Sequence, residues 1–186
     1  MNKEMNTTLN TTPRMVSFDA ECESGIWSRA FSIAGIAYDE FGQVVDSFIG
    51  RCPIEGEVSD YVRDEVLPKM TGVEENFGSY EELLRAFFAW RAPYKKTKFQ
   101  ELAHVGVPVE AKLYMDAYKA GLIGEWDGPF PLVDPSAIPE IGTSVDTYNE
   151  IHGCGPNPED FAGGTHNPLY DSAAAYAAYR HWLLNR

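Results

Sequence analysis

At 186 residues, with 44% hydrophobic and 13% aromatic side chains, the chain is long enough for one packed domain and too apolar to be disordered. Lys and Arg number 15 against 28 Asp and Glu, a formal charge of −13, which argues against the broad basic face that grips long duplex nucleic acid. Cys22, Cys52 and Cys154 are odd in number and far apart, so a disulfide framework is not expected and a reducing compartment is. Residues 1–13 are polar, rich in Asn and Thr, and lack the apolar stretch of a secretory leader. They read as a loose tail before a single domain spanning 14–186. No apolar run approaches the roughly 18 residues that cross a bilayer, so a soluble, cytoplasmic protein without a membrane partner is expected.

The first predicted strand, from Met15 to Phe18, delivers Asp19 and Glu21 at its end. Phe31 to Tyr38 and Val44 to Gly50 read as two more strands, joined by the short polar turn Asp39-Glu40-Phe41-Gly42. Three antiparallel strands thus open the domain. Apolar residues at Val58, Tyr61, Val62, Val66 and Leu67 have a helical period over Val58 to Met70, with Pro68 expected to end that helix. Ser79 followed by Glu82 is a capping box that starts a helix running to Trp90. The only dense basic patch follows, with Arg91, Lys95, Lys96 and Lys98.

Leu102 to Val109 reads as a buried strand with Pro108 at its end, and Glu110 to Leu122 as a helix closed by Gly121. Leu132 to Asp134 is a short last strand, and Val145 to Ile151 a short helix in a loop region rich in Pro and Gly. Asn167 caps, and Pro168 opens, an Ala-rich helix to Leu184. Strands first, then alternating helix and strand, predict an α/β layered domain with a mixed sheet.

Three places carry candidate chemistry. Asp19 and Glu21 alternate with Ala20, so an extended backbone turns both carboxylates to one face, where they repel unless a cation lies between them. Glu110 stands where a strand hands over to a helix. His166 and Asp171 flank the entry to the last helix, after Gly163 and Gly164. His104 lies within an apolar strand and reads as a satisfied core histidine. His152-Gly153-Cys154 hints at zinc, but no second pair has suitable spacing. Tyr114 and Tyr170 read as core packing.

In this order the residues resemble the DEDDh (DnaQ-like) family of 3′–5′ exonucleases. The family pattern is D-x-E on the first strand, an acid opening a later helix, and H-x-x-x-x-D leading into the final helix. Asp19 and Glu21, Glu110, then His166 and Asp171 match it across essentially the whole folded chain. The resemblance implies a ribonuclease H-like fold, its central mixed sheet having three antiparallel strands followed by parallel ones, flanked by helices. The middle acid departs from the pattern, being Glu where the family has Asp; Asp116 is the alternative, deeper in the helix.

The resemblance further implies a two-metal site for Mg²⁺ or Mn²⁺, to which carboxylate oxygens are suited. Asp19, Glu21 and Asp171 would hold one ion, and Asp19 with Glu110 the second. Two ions roughly 3.5–4 Å apart can clamp a scissile phosphate. His166 would be the general base, releasing nucleoside 5′-monophosphates from the 3′ end of single-stranded RNA or DNA. Cys22 and Trp27 fall where relatives shape the pocket for the terminal nucleotide; Trp27 equally suits packing against the domain. Several relatives are dimers, so a homodimer is within the expectation. Two other readings stand beside this one: a phosphodiesterase for very short oligonucleotides or other small phosphodiesters, favoured by the acidic charge, and a catalytically silent nuclease-like binding module.

Overall fold

The computed structural model describes residues 14–96, 99–104, 107–128 and 131–186, and the predicted tail 1–13 lies outside them. Strand β1 (Met15–Cys22) is central. On one side it pairs antiparallel with β2 (Ala30–Tyr38), which pairs antiparallel with β3 (Val44–Arg51). On the other it pairs parallel with β4 (Gln100–Ala103), followed by the parallel two-residue β5 (Leu132–Val133). The order β3-β2-β1-β4-β5 is the mixed sheet expected from the chain order of the elements. Every residue of β2 is buried, as its near-continuous apolar run requires when both sheet faces are covered.

Helices α1 (Tyr80–Arg91) and α2 (Val107–Lys119) cover one face, where Leu83, Leu84, Phe87, Phe88 and Leu113 pack with Phe18 and Phe31. Helix α3 (Val145–His152) packs on α4 (Pro168–Asn185), which crosses the other face. Ala174 and Ala178 are fully buried and pack with Val145 and Tyr148 of α3, while Ala173 packs with Ile36 of β2 and Leu102 of β4. The Ser172 hydroxyl donates to the Pro168 carbonyl at 2.7 Å and lies 3.4 Å from the Ala34 carbonyl of β2.

Ser79 caps α1 by accepting from the Glu82 N–H, and the Glu82 carboxylate reaches back to the Gly78 N–H at 2.8 Å. Ser79→Ala should cost about 1 kcal/mol, seen as a lower urea midpoint with an unchanged slope. Two sequence expectations need correction. The segment after β3 is not one α-helix: a π-helical turn, Val62–Val66, runs into a 3-10 turn, Leu67–Met70, with Pro68 inside it. The buried strand expected over 102–109 ends at Ala103, and α2 already begins at Val107. Pro108 therefore lies in a first helical turn, where its missing N–H has no partner to lose.

Arg91 does not belong to the basic patch. It is 2% exposed and makes a two-pronged pair with Glu101 at 2.5 and 2.7 Å, over the Tyr114 ring. The side chains of Lys95, Lys96 and Lys98 lie outside those described. Among the described residues no helix is long and apolar enough to cross a membrane.

Candidate active site

The site forms where β1 and β4 run out, under the N-termini of α2 and α4. In β1, Phe18 and Ala20 enter the α1–α2 core, so the alternation sends Asp19 and Glu21 to the opposite face. Asn167 caps α4 by accepting from Leu169 N–H, which puts Asp171 in the first turn, where its carboxylate accepts the His166 N–H. Glu110 lies in the first turn of α2 and is 1% exposed. Both helices thus direct their positive ends at carboxylates.

Ligand-capable atoms of Glu21, His166 and Asp171 lie within 4.8 Å of one another, and so do those of Asp19, His104 and Asp171. Glu110 stands outside those two groups but acts electrostatically on the same carboxylates, Asp19 foremost. Its Oε2 is buried without a hydrogen-bond partner among the described residues. Asp116, the alternative middle acid, is engaged elsewhere: it accepts from Tyr80 Oη at 2.8 Å and pairs with Lys112.

This density of negative charge has measurable consequences. Burial, then Asp19 and Asp171, push Glu21 up to about 9. Burial and Asp19 push Asp171 up to about 8, with His104 pulling the other way. Burial and Asp19 hold Glu110 well above the carboxylate range. Groups that resist ionisation this strongly, one with an orphaned oxygen, fit a divalent cation with a preference for oxygen ligands.

His104, read from the sequence as a satisfied core histidine, finds its partner in the acidic cluster. It follows β4 directly, its N–H bonded to the Phe18 carbonyl, and its Nδ1 lies 3.4 Å from Asp19 Oδ1. Burial disfavours its charge, but the hydrogen bond to Asp19 and the charges of Asp19 and Asp171 outweigh that and raise it to about 9. A protonated His104 is thus a built-in counter-ion. The parallel register pairing Phe18 with Ala103 sets this contact, and no local motif encodes that register.

His166 differs in kind. Its backbone is left-handed, φ 65°, which a non-glycine residue adopts at a cost. The loop before it presses on the 3-10 turn at Lys69, where a Cβ on Gly163 (φ +83°) would lie 1.5 Å from the Lys69 carbonyl oxygen. Burial and Lys69 lower the His166 pKa, so its ring is neutral at neutral pH. Trp27 is 74% exposed on the β1–β2 turn. Cys22 is half-buried, its thiol pushed up to about 12 by burial and by Glu110, Asp19 and Glu21, so it stays protonated.

No family model and no curated protein matches the sequence. Solved structures do match. Product-bound exonuclease I aligns with a TM-score of 0.53 at 11% identity over 90% of this chain and 44% of its own. The E. coli exonuclease I complex with a 5cy-dT13 oligonucleotide aligns at 0.52 and 12% identity, over 93% of this chain and 41% of its own. A zinc-bound complex of E. coli exonuclease I with single-stranded DNA gives the same figures. The chain therefore spans less than half the length of these proteins. What the likeness shows is the fold. It is the α/β, ribonuclease H-like architecture, with a five-stranded mixed sheet flanked by helices.

Proposed function

We propose that this chain is a metal-dependent 3′–5′ exonuclease that acts on single-stranded nucleic acid ends. The observation that carries the reading is the gathering of Asp19, Glu21, Glu110 and Asp171 at one place, the last three held protonated above the carboxylate range, beside a neutral His166. The resemblance to DEDDh exonucleases and the fold shared with exonuclease I point the same way.

Asp19, Glu21 and Asp171 would hold one Mg²⁺ or Mn²⁺ ion, and Glu110 with Asp19 a second. Bound there, the ions would supply an acidified water and neutralise charge on the scissile phosphate. The protein's own contribution is a proton acceptor. His166, held neutral by burial and Lys69, takes a proton from the attacking water. The water oxygen bonds to phosphorus, the bond from phosphorus to the 3′-oxygen breaks, and that oxygen leaves as a hydroxyl once protonated. The released product is a nucleoside 5′-monophosphate. Trp27, exposed beside the end of β1, is the stacking surface we assign to a terminal base.

A second reading, hydrolysis of very short oligonucleotides, is favoured by the charge of −13 and by the burial of Arg91 against Glu101. Digestion of 3′- and 5′-labelled single-stranded RNA and DNA with Mg²⁺ or Mn²⁺ tests the main reading, and a dinucleotide beside a twenty-mer separates the two. His166→Ala should retain metal binding and lose about 10²–10⁴-fold in turnover, as expected for a lost general base. Full activity in that variant would remove His166 from the mechanism.

A further inference from the structure

The far end of α4 carries a second cluster of metal-ligating side chains. His181 lies ten residues beyond Asp171, roughly 15 Å along the helix, so this cluster is separate from the acidic site. The His152 and His181 rings face one another with centroids 4.8 Å apart. Both line a surface cavity of about 380 Å³ together with Glu140, Tyr148, Trp182 and Arg186. We propose that His152 and His181, with Glu140 as third ligand, bind a transition-metal ion of borderline softness, Zn²⁺ being the representative case.

The spacing of the two rings suits that ion, and Glu140 must swing in from the cavity wall, because the three side chains do not converge within 4.8 Å as those of the acidic site do. Two imidazoles that share a tetrahedral ion through nitrogens at about 2 Å have ring centres about 5 Å apart. Tyr148 organises both rings: its hydroxyl is 3.0 Å from His181 Nδ1, and its ring packs on His152 at 4.3 Å between centroids. With Nδ1 engaged by the tyrosine, His181 keeps Nε2 for a ligand, the usual division of labour in a metal-binding histidine. His152 is the last residue of α3, where the helix presents partial negative charge to a cation. Glu140 faces the same cavity with a full one, while the Arg186 guanidinium is turned onto the Trp182 ring at 4.8 Å. Two imidazoles and a carboxylate are a zinc donor set, whereas Mg²⁺ seeks oxygen alone. Cys154 takes no part, because its thiol donates to Asn149 Oδ1. An ion here would staple α3 to α4.

The test is calorimetric titration with ZnCl₂, in excess Mg²⁺, of the full chain carrying Asp19→Asn and Asp171→Asn to weaken the acidic site. We expect one equivalent of Zn²⁺ at the histidine pair, with affinity about tenfold or more lower after His152→Ala or His181→Gln, and a zinc-induced rise in melting temperature that His152→Ala removes. His152 is exposed, so its substitution leaves the fold intact and decides the matter should the His181 variant not fold. No zinc binding by the doubly substituted chain, or binding indifferent to both histidine substitutions, would overturn the proposal. Neither measurement uses nucleic acid, so the outcome is independent of whether the acidic site hydrolyses anything.

Discussion

Asp19→Asn is expected to lower hydrolysis by about 10³-fold or more while lowering the pKa values of Glu21, Asp171 and His104 in the metal-free protein. The loss follows from the proposed role: removing one ionic ligand shared by both ions forfeits several kcal/mol of charge stabilisation in the transition state. The shift in pKa values follows from the structure alone. Beyond burial, the charge of Asp19 raises Glu21, Asp171 and Glu110, and against burial it raises His104 as well, so the isosteric amide lets all of them titrate lower. Release of label from a 3′-labelled single strand with Mn²⁺, set beside NMR titration of the His104 ring in EDTA, reads both effects. A variant within tenfold of the parent in turnover, or a His104 that titrates as in the parent, contradicts the assignment.

The second large effect is on stability against pH. Glu21 is raised from 4.5 to about 9 and Asp171 from 3.8 to about 8. The folded chain then holds protons that the unfolded chain releases, so stability falls as pH rises through that interval. His104, raised from 6.5 to about 9, acts in the same sense: its contribution is complete below 6.5 and is lost as pH rises through about 9. Glu23 runs the other way, its pKa lowered by Arg29 and by the Glu55 and Gly56 N–H groups in spite of burial, but its change falls in acid, below this window. Metal-free protein should therefore melt progressively lower from about pH 5 to about pH 9. Mn²⁺ keeps the carboxylates ionised, so the melting temperature it adds should grow with pH over the same range. A metal-free melting temperature that stays flat or climbs across this interval would contradict the cluster as described.

Elements marked by local chemistry were legible. Ser79 with Glu82, and Asn167 with Pro168, announce α1 and α4 because capping is a contact between near neighbours. The strand pattern likewise exposes β2 and β3, and the alternation around Ala20 puts Asp19 and Glu21 on one face. The β4–α2 junction was not legible. Leu102 to Val109 is apolar except for His104, and such a run reads the same whether it ends a buried strand or opens a buried helix. The error carried into the site, since Glu110 is the fourth residue of α2, in its first turn, and not its first residue.

The sequence by itself determined the acidic pair on the first strand, the capped final helix with His166 before it and Asp171 in its first turn, and the α/β order of elements. Each of these rests on residues within a few positions of one another. The tertiary structure alone decided what meets across distance. It put His104 against Asp19 through a parallel register, tied Asp116 to Tyr80 and Lys112, and withdrew Arg91 from the surface into a pair with Glu101. It also gave His152 a partner in His181, 29 residues away. Packing of strand on strand and helix on helix sets those encounters, and it leaves no trace in the spacing of residues along the chain.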